Sequence, residues 1–173
     1  ALARLNRGNG HGDFENVARQ GNLTRPTLPM GANFGDLDND GYLDFYLGTG
    51  DGQYKSLLPS KMYCNRAGQS FADITTAGGF GHLKKGHAVA FAELDTDGDQ
   101  DVFAQMGGSV PGEKFSDAMY ENTDFNNHWI NVHLVGVRSN RSAIGARICI
   151  EVTDGGRRRS IYKQVNSGGR FGA

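Results

Sequence analysis

The sequence predicts an all-β protein in which β-propeller-type blades, forming an incomplete propeller, are followed by a small β domain. Three observations predict this class: an internal repeat, short apolar segments between glycine-rich turns, and a composition unsuited to long helices. The 173 residues include 26 Gly, 38% apolar residues and 21% charged residues, which argues against a helical bundle and a disordered chain. No stretch approaches the roughly 18 apolar residues that span a bilayer, so no membrane span is expected.

The internal repeat is the strongest signal in the sequence. Residues 35–47 align with residues 92–104 at an offset of 57 positions, and further pairs of residues keep the same register. These pairs are Phe14 and Phe71, Val17 and Ile74, Phe34 and Phe91, Tyr63 and Tyr120, and Asn65 and Asn122. A unit of this length with four short strands is typical of a propeller blade. A β-sandwich with two similar hairpins is the alternative.

The strands of each unit are predicted from its apolar segments. Residues 88–92 are small and apolar, which suits a tightly packed inner strand, and residues 101–106 predict the strand that follows. Residues 61–65 and 70–74 predict a hairpin around the turn at residues 66–69.

The pattern changes after the repeats, so we divide the chain into a repeat region of about two and a half units, residues 1–126, and a β segment, residues 127–173. We expect both to be pieces of larger units. Apolar residues alternate with polar ones in residues 128–135 and 144–152, which predicts two half-buried strands. Residues 160–165 are predicted to return as the second strand of a hairpin.

The two parts also differ in charge. Residues 127–173 carry 8 Lys and Arg against 2 Asp and Glu, whereas the first 126 residues carry 10 against 17. Opposite charges predict two modules that attract each other or neighbouring copies. The net charge of −1 gives no overall attraction to nucleic acid. We expect Arg157–Arg159 to be a solvated hairpin tip rather than a polyanion site.

The cysteines and the glycosylation triplets give weaker signals. Cys64 and Cys149 are the only cysteines, and their spacing demands neither a disulfide nor a metal site, so both are expected to be buried thiols. Asn22 and Asn140 each begin an N-x-Ser/Thr triplet, which fits a glycosylation acceptor but is also common by chance.

Acidic residues alternate in two equivalent loops, the first acidic loop (residues 36–44) and the second acidic loop (residues 93–101). Alternate spacing lets a tight turn direct successive carboxylates at one centre, and glycine at position 6 permits the bend. Oxygen ligands in this number suit Ca²⁺. The predicted ligands, with the backbone carbonyl at position 7 included, are Asp36, Asp38, Asp40, Tyr42 and Asp44 in the first loop and Glu93, Asp95, Asp97, Asp99 and Asp101 in the second.

Electrostatics favours a cation in these loops. Two carboxylates about 4 Å apart repel by roughly 4 kcal/mol at an effective dielectric near 20, so convergent carboxylates need raised pKa values or a divalent ion. The alternative is that these are ordinary turns whose acidic side chains point into water. Because the loop occurs twice at the same offset, we favour metal binding. The loops are not EF-hands, because their last acid is at position 9 rather than position 12 and because strands rather than helices are expected to flank them.

The acidic loops resemble the calcium-binding loops of FG-GAP/VCBS repeats, the blades of integrin-α-type β-propellers. The segments Asn127–Trp129, Gly136–Arg141, Ile144–Arg147 and Ser167–Phe171 resemble parts of the ASPIC/UnbV domain. Cartilage-acidic-protein-like proteins combine the two. The resemblance implies an extracellular, calcium-stabilised repeat protein without catalysis. The metal ligands that the resemblance implies are Asp36, Asp38, Asp40 and Asp44 in the first loop and Asp95, Asp97 and Asp101 in the second. Glu93 stands at position 1 of the second loop, where the family usually has aspartate.

Three function classes stay open on the sequence. The first is a non-enzymatic extracellular structural or adhesion module that binds a protein or a glycan. The second is a subunit of a self-assembling filament or sheath, in which other copies, or missing parts of a longer chain, complete the open blades. The third is a carbohydrate-active enzyme, which is disfavoured because the acids surround a cation rather than a sugar. No GxSxG motif occurs, and the scattered His87, His128 and His133 predict no zinc site.

Overall fold

The computed structural model describes residues 4–51, 57–108, 112, 115–123 and 127–167, which form β-strands and no helix. The all-β prediction is confirmed. The strands are β1 (Asn6–Gly8), β2 (Phe14–Asn16), β3 (Pro29–Gly35), β4 (Asp44–Thr49), β5 (Lys61–Arg66), β6 (Ser70–Asp73), β7 (Gly86–Ala92), β8 (Asp101–Met106), β9 (Ala118–Tyr120), β10 (Arg147–Asp154) and β11 (Arg157–Gln164). Within this described part, nothing forms a helix that would reach across a lipid bilayer.

The strands form antiparallel sheets between neighbours in the chain. The first sheet is β1–β2, the second sheet is β3–β4–β5–β6, the third sheet is β7–β8–β9, and β10–β11 form the C-terminal hairpin. Four antiparallel strands in chain order, as in the second sheet, are the arrangement of a propeller blade. The predicted hairpin of β5 and β6 is present, with Arg66 opposite Ser70 across its turn.

The sheets follow the repeat. A shift of 57 residues places β7 on β3 and β8 on β4 with identical bounds, and it places β9 within β5. The same shift places β1 and β2 within β5 and β6. The first sheet therefore corresponds to the last two strands of a blade, and the third sheet corresponds to the first three.

The described chain divides into two compact units, the first ending at Trp129 and the second beginning at Ile130. The division into domains at residue 126 stays a prediction. In the second unit, Gly155 and Gly156 both have positive φ and form the turn between β10 and β11. The expectation that Arg157–Arg159 form the hairpin tip is wrong, because these residues pair with β10 as the first residues of β11.

The strand predicted over residues 128–135 is wrong. Residues 127–136 form no strand, although their apolar side chains alternate. Among the described residues, β10 and β11 pair only with each other, so the alternating segment has no neighbouring strand to accept its backbone hydrogen bonds. Trp129, Ile130 and Val135 are exposed as a result.

The second and third sheets pack face to face around the larger of two apolar cores. We define the forward face of the second sheet by Tyr46 and Met62, which lie opposite each other on β4 and β5 and are both 0% exposed. Val89 and Val102 of the third sheet meet them in this core. At one end the two backbones approach closely, because a Cβ atom on Gly48 would lie 2.6 Å from the carbonyl oxygen of Gly86.

The chain on both sides of the first sheet packs on the opposite face of the second sheet, whereas the residues of β1 and β2 themselves are exposed. Phe45 and Phe71 form an edge-to-face pair there, with ring centroids 4.9 Å apart. The members of this second core are Leu5, Ala18, Leu23, Phe45, Leu47, Tyr63 and Phe71. Each face of the second sheet is therefore covered by the neighbouring repeat unit, as in a stack of blades.

The expectation of two buried thiols is half wrong. Both cysteines are free, but only Cys64 is buried, whereas Cys149 is exposed on β10. Burial, together with the charges of Asp44 and Asp38, raises the pKa of the Cys64 thiol to about 12. Cys149 is exposed because it shares the exposed face of β10 with Arg147 and Glu151, whereas Ile148, Ile150 and Val152 lie on the half-buried face.

We predict that Met62→Ala lowers the free energy of unfolding of the first unit by about 2–5 kcal/mol, because it leaves a cavity between the second and third sheets. Met119→Ala is the matched control, since Met119 occupies the equivalent repeat position but is 65% exposed. Its expected effect is below about 0.5 kcal/mol. Urea unfolding followed by circular dichroism measures both. Equal losses in the two variants would contradict the packing described here.

Candidate metal centres

Three carboxylates converge in the first acidic loop. One oxygen each from Asp36, Asp38 and Asp40 lies within 4.8 Å of the other two, and all three residues are half-buried. The loop connects β3 to β4, so its two ends are fixed by the ladder in which Gly35 lies opposite Asp44. The predicted convergence of these three side chains is therefore present in the structure.

Backbone amides of the first acidic loop hold these carboxylates in place. Gly41 donates its N–H to Asp36 at 3.1 Å, Asp40 donates to Asp38 at 3.3 Å, and Tyr42 donates to Asp40 Oδ1 at 2.7 Å. The turn requires left-handed backbone at two positions, Asn39 with φ 53° and Gly41 with φ 85°. Asparagine and glycine are the residues that accept this conformation at low cost.

The second acidic loop repeats this arrangement with a longer first side chain. Oxygens of Glu93, Asp95 and Asp97 lie within 4.8 Å of one another, although these residues are exposed. Glu93 accepts hydrogen bonds from the backbone N–H groups of Gly98 and Thr96, both at 2.7 Å. Its bond with Gly98 is the equivalent of the bond between Asp36 and Gly41, so the extra methylene keeps the turn intact.

The aspartate at position 9 is held differently from the three that converge. Asp44 is fully buried, and its two oxygens accept the backbone N–H groups of Leu37 at 2.8 Å and Asn65 at 2.7 Å. Asp101 makes the equivalent bonds with Leu94 and Asn122. Asp44 therefore joins the start of its loop to β5, and Asp101 joins the start of its loop to the chain just after β9. A carboxylate has about four acceptor positions, so two bonds leave capacity for a cation.

Asn65 and Asn122 belong to this arrangement, although the sequence analysis gave them no role. Besides donating its N–H to the position-9 aspartate, each donates its side-chain amide to the carbonyl at position 8 of its own loop, Leu43 for Asn65 and Gln100 for Asn122. Asn122 also donates this amide to the carbonyl of Leu37, in the first acidic loop, at 2.7 Å. The signal was present in the sequence, because the two asparagines are equivalent at the 57-residue offset.

Asp99 was predicted to bind metal through its backbone carbonyl, but its side chain also matters because it is buried. It is 8% exposed, and its Oδ1 atom has no hydrogen-bond partner. Burial, followed by the charges of Asp97 and Asp101, raises the pKa of this carboxyl to about 6. A buried acceptor without a donor is costly, so this oxygen suits a bound proton or a cation. The role of the Asp99 and Tyr42 carbonyls as ligands stays a prediction.

Hydrogen bonds connect the first acidic loop to the second acidic loop and to the chain that follows the third sheet. Asn39 donates its side-chain amide to the carbonyl of Gly98 at 3.1 Å, and Gln100 accepts the N–H of Asp36 at 2.8 Å. Asn127 donates to the carbonyl of Asp38 at 2.7 Å. The two acidic loops are therefore neighbours at the same edge of the stacked sheets.

Trp129 lies against the second acidic loop. A Cβ atom built on Gly98 would lie 1.9 Å from its indole ring, so the ring occupies the space that any larger residue would need. Trp129 is the only tryptophan of the chain. Its contact with a residue at position 6 makes it a natural optical probe of this loop.

An FG-GAP-like repeat is present at residues 3–47. The matching family model covers about a quarter of the chain, from before β1 into β4, and includes the whole first acidic loop. This confirms the repeat part of the predicted resemblance. A search of curated proteins gave no significant match.

We predict that the metal-free chain loses stability between about pH 4 and about pH 7. Burial raises the pKa of Asp44 to about 6, with further contributions from Asp38 and Asp36, and Asp99 is raised to a similar value. A carboxyl with a raised pKa binds its proton more tightly in the folded state. Its stabilising contribution is complete below about pH 4 and is lost as the pH rises through about 6.

Urea unfolding in chelator measures this loss, which we expect to be on the order of 1 kcal/mol or more. Asp99→Asn removes one of the two titrating groups at similar size, so its unfolding free energy should vary less with pH than that of the wild type. An unchanged pH dependence in this variant would show that Asp99 does not titrate as described.

Proposed function

We propose that this chain is part of an extracellular β-propeller-type module whose blades are stabilised by Ca²⁺, with a structural or adhesive role and no catalytic activity. The observation that carries the proposal is the convergence of three carboxylates in each of two equivalent loops. The FG-GAP-like repeat at residues 3–47 supports the extracellular assignment, because such repeats are typical of surface and secreted proteins.

The donor set fits a hard divalent cation. Each loop offers only oxygen atoms, which Ca²⁺ prefers, and it offers more carboxylates than Mg²⁺ usually takes from a protein. The loop amides already fix the carboxylates, so binding would need little rearrangement. The unpartnered Oδ1 atom of Asp99 adds a second, independent reason to expect positive charge at the second loop.

The proposed ligands are those of the sequence analysis. We assign Ca²⁺ to the side chains of Asp36, Asp38, Asp40 and Asp44 with the Tyr42 carbonyl, and to those of Glu93, Asp95, Asp97 and Asp101 with the Asp99 carbonyl. The ion would supply charge neutralisation: it replaces repulsion among the acids by attraction to a common centre. This would fix β3 to β4 and β7 to β8 at one edge of the stack.

We propose further that the second unit is part of an ASPIC/UnbV-like domain, on the motifs named above. The segment from Gly168 to Phe171 that contributes to this resemblance lies outside the described residues. The partner of the whole module would be a protein or a glycan rather than nucleic acid, because the repeat region is acidic.

We predict that Ca²⁺ raises the melting temperature of the chain. A site that is bound only in the folded state contributes about 2.7 kcal/mol at a hundredfold excess over its dissociation constant, which corresponds to roughly 5–10 °C for a protein of this size. Asp38→Asn should reduce the shift, because it removes one ligand of the first loop. Asp13→Asn is the control, since Asp13 is an exposed acid outside both loops. Differential scanning calorimetry measures the melting temperature in chelator and in calcium. Equal melting temperatures of the wild type under these two conditions would refute the proposal.

We predict that the fluorescence of Trp129 reports Ca²⁺ binding at the second loop. Asp97→Asn should abolish the change in emission on calcium titration, whereas Asp40→Asn, at the equivalent position of the first loop, should retain it. A change that disappears in the Asp40 variant and persists in the Asp97 variant would contradict the assignment of separate sites.

A further inference from the structure

The two acidic loops hold each other's backbone through side chains. Asn39 of the first loop donates its amide to the carbonyl of Gly98 in the second at 3.1 Å, and Gln100 of the second loop accepts the N–H of Asp36 in the first at 2.8 Å. Asp36 is a proposed ligand, and Gly98 donates its own N–H to the proposed ligand Glu93 at 2.7 Å. Each loop therefore depends on the other for part of the backbone that positions its first carboxylate.

A path of hydrogen bonds also links the two position-9 aspartates. Asp44 accepts the N–H of Leu37 at 2.8 Å, and the carbonyl of Leu37 accepts the side-chain amide of Asn122 at 2.7 Å. Asn122 then donates its backbone N–H to Asp101 at 2.9 Å. Leu37 and both aspartates are buried, so water competes little with these bonds. Only two residues therefore separate a proposed ligand of one site from a proposed ligand of the other.

These shared bonds predict that the two loops become ordered together. A loop loses conformational freedom when its carboxylates gather around an ion, and this loss weakens binding. Because the bonds between the loops fix backbone in both, binding in one loop also orders part of the other. An ion that enters the second of the two loops is then bound more tightly than it would be if the first were empty.

We propose that the two acidic loops bind Ca²⁺ with positive cooperativity, and that Asn122 and Gln100 carry the coupling between the two sites. Since both loops must hold an ion, this inference depends on the proposed function. Coupling between sites typically changes affinity by about 5- to 150-fold, and we expect about tenfold here. The coupling is reciprocal, so each occupied loop raises the affinity of the other by the same factor.

Charge alone would couple the two sites with the opposite sign. An ion in one loop cancels negative charge that would also attract an ion to the other loop, which lowers the second affinity. This repulsive effect is screened over about 8 Å at physiological salt, so it weakens as salt is added. Coupling through hydrogen bonds between buried groups is screened much less. Positive cooperativity that persists when salt is added therefore identifies the shared bonds as its cause.

Two substitutions separate the coupling from the sites themselves. Gln100→Leu removes the acceptor that the first loop uses, and it gives the second loop the residue that the first loop has at the equivalent position, Leu43. Asn122→Ala removes the amide that reaches Leu37 but keeps the backbone N–H that the position-9 aspartate accepts. Asn65→Ala is the matched control, because the amide of Asn65 is bonded to a carbonyl of its own loop.

The experiment measures the calcium concentration at the midpoint of the Trp129 emission change, with the first loop intact and with it disabled by Asp40→Asn. In the otherwise wild-type chain, Asp40→Asn should raise this midpoint about tenfold, because the second loop then binds without an occupied neighbour. In chains that carry Gln100→Leu or Asn122→Ala, adding Asp40→Asn should raise the midpoint less than about twofold. In chains that carry Asn65→Ala, the shift should remain about tenfold.

Circular dichroism establishes that each variant is folded, and isothermal titration calorimetry counts the bound ions. Two bound ions in the wild type, with a midpoint that Asp40→Asn leaves unchanged or lowers, would overturn the coupling and leave the calcium sites standing. A tenfold shift that persists in both Gln100→Leu and Asn122→Ala would overturn the assignment of the coupling to these residues. Absence of calcium binding in both loops would refute the proposed function, and the coupling with it.

Discussion

The buried aspartate that closes each acidic loop is the constraint on which the repeat depends. Asp44 accepts one amide from its own loop and one from β5, and Asp101 accepts one amide from its own loop and one from Asn122, just after β9. A buried carboxylate is stable only when such donors are supplied, since its desolvation otherwise costs several kcal/mol. Loop, second strand and third strand must therefore assemble together. The buried aspartate therefore anchors each acidic loop to the interior of its sheet.

The features that could be predicted from the sequence are those that local pattern or repetition determines. The offset of 57 residues predicted equivalent sheets, and β7 and β8 have the bounds of β3 and β4 after that shift. Alternate spacing of carboxylates predicted their convergence, because a turn that brings positions 1, 3 and 5 to one side needs only local backbone angles. Asn39 and Gly41 supply those angles.

The features that could not be predicted depend on contacts between distant parts of the chain. Residues 128–135 alternate as a strand does, but a strand also needs a partner, and the periodicity of one segment does not reveal whether a partner exists. Cys149 lies on an apolar, alternating segment, but it belongs to the exposed face of β10 together with Arg147 and Glu151. The bonds of Asp44 with Asn65 cross 21 positions of sequence, so spacing within the loop gave no sign of them.

The hydrogen bonds between the two stacked repeat units have a mechanical consequence. Directed bonds from Asn39 and to Gln100 join the two acidic loops, and Asn33 of β3 donates its side-chain amide to the carbonyl of Val89 of β7 at 2.9 Å. At the far end the backbones of Gly48 and Gly86 approach each other without side chains between them. A shift of one sheet along the other would break the directed bonds and lose the close glycine contact, so these contacts together fix the alignment of the two units.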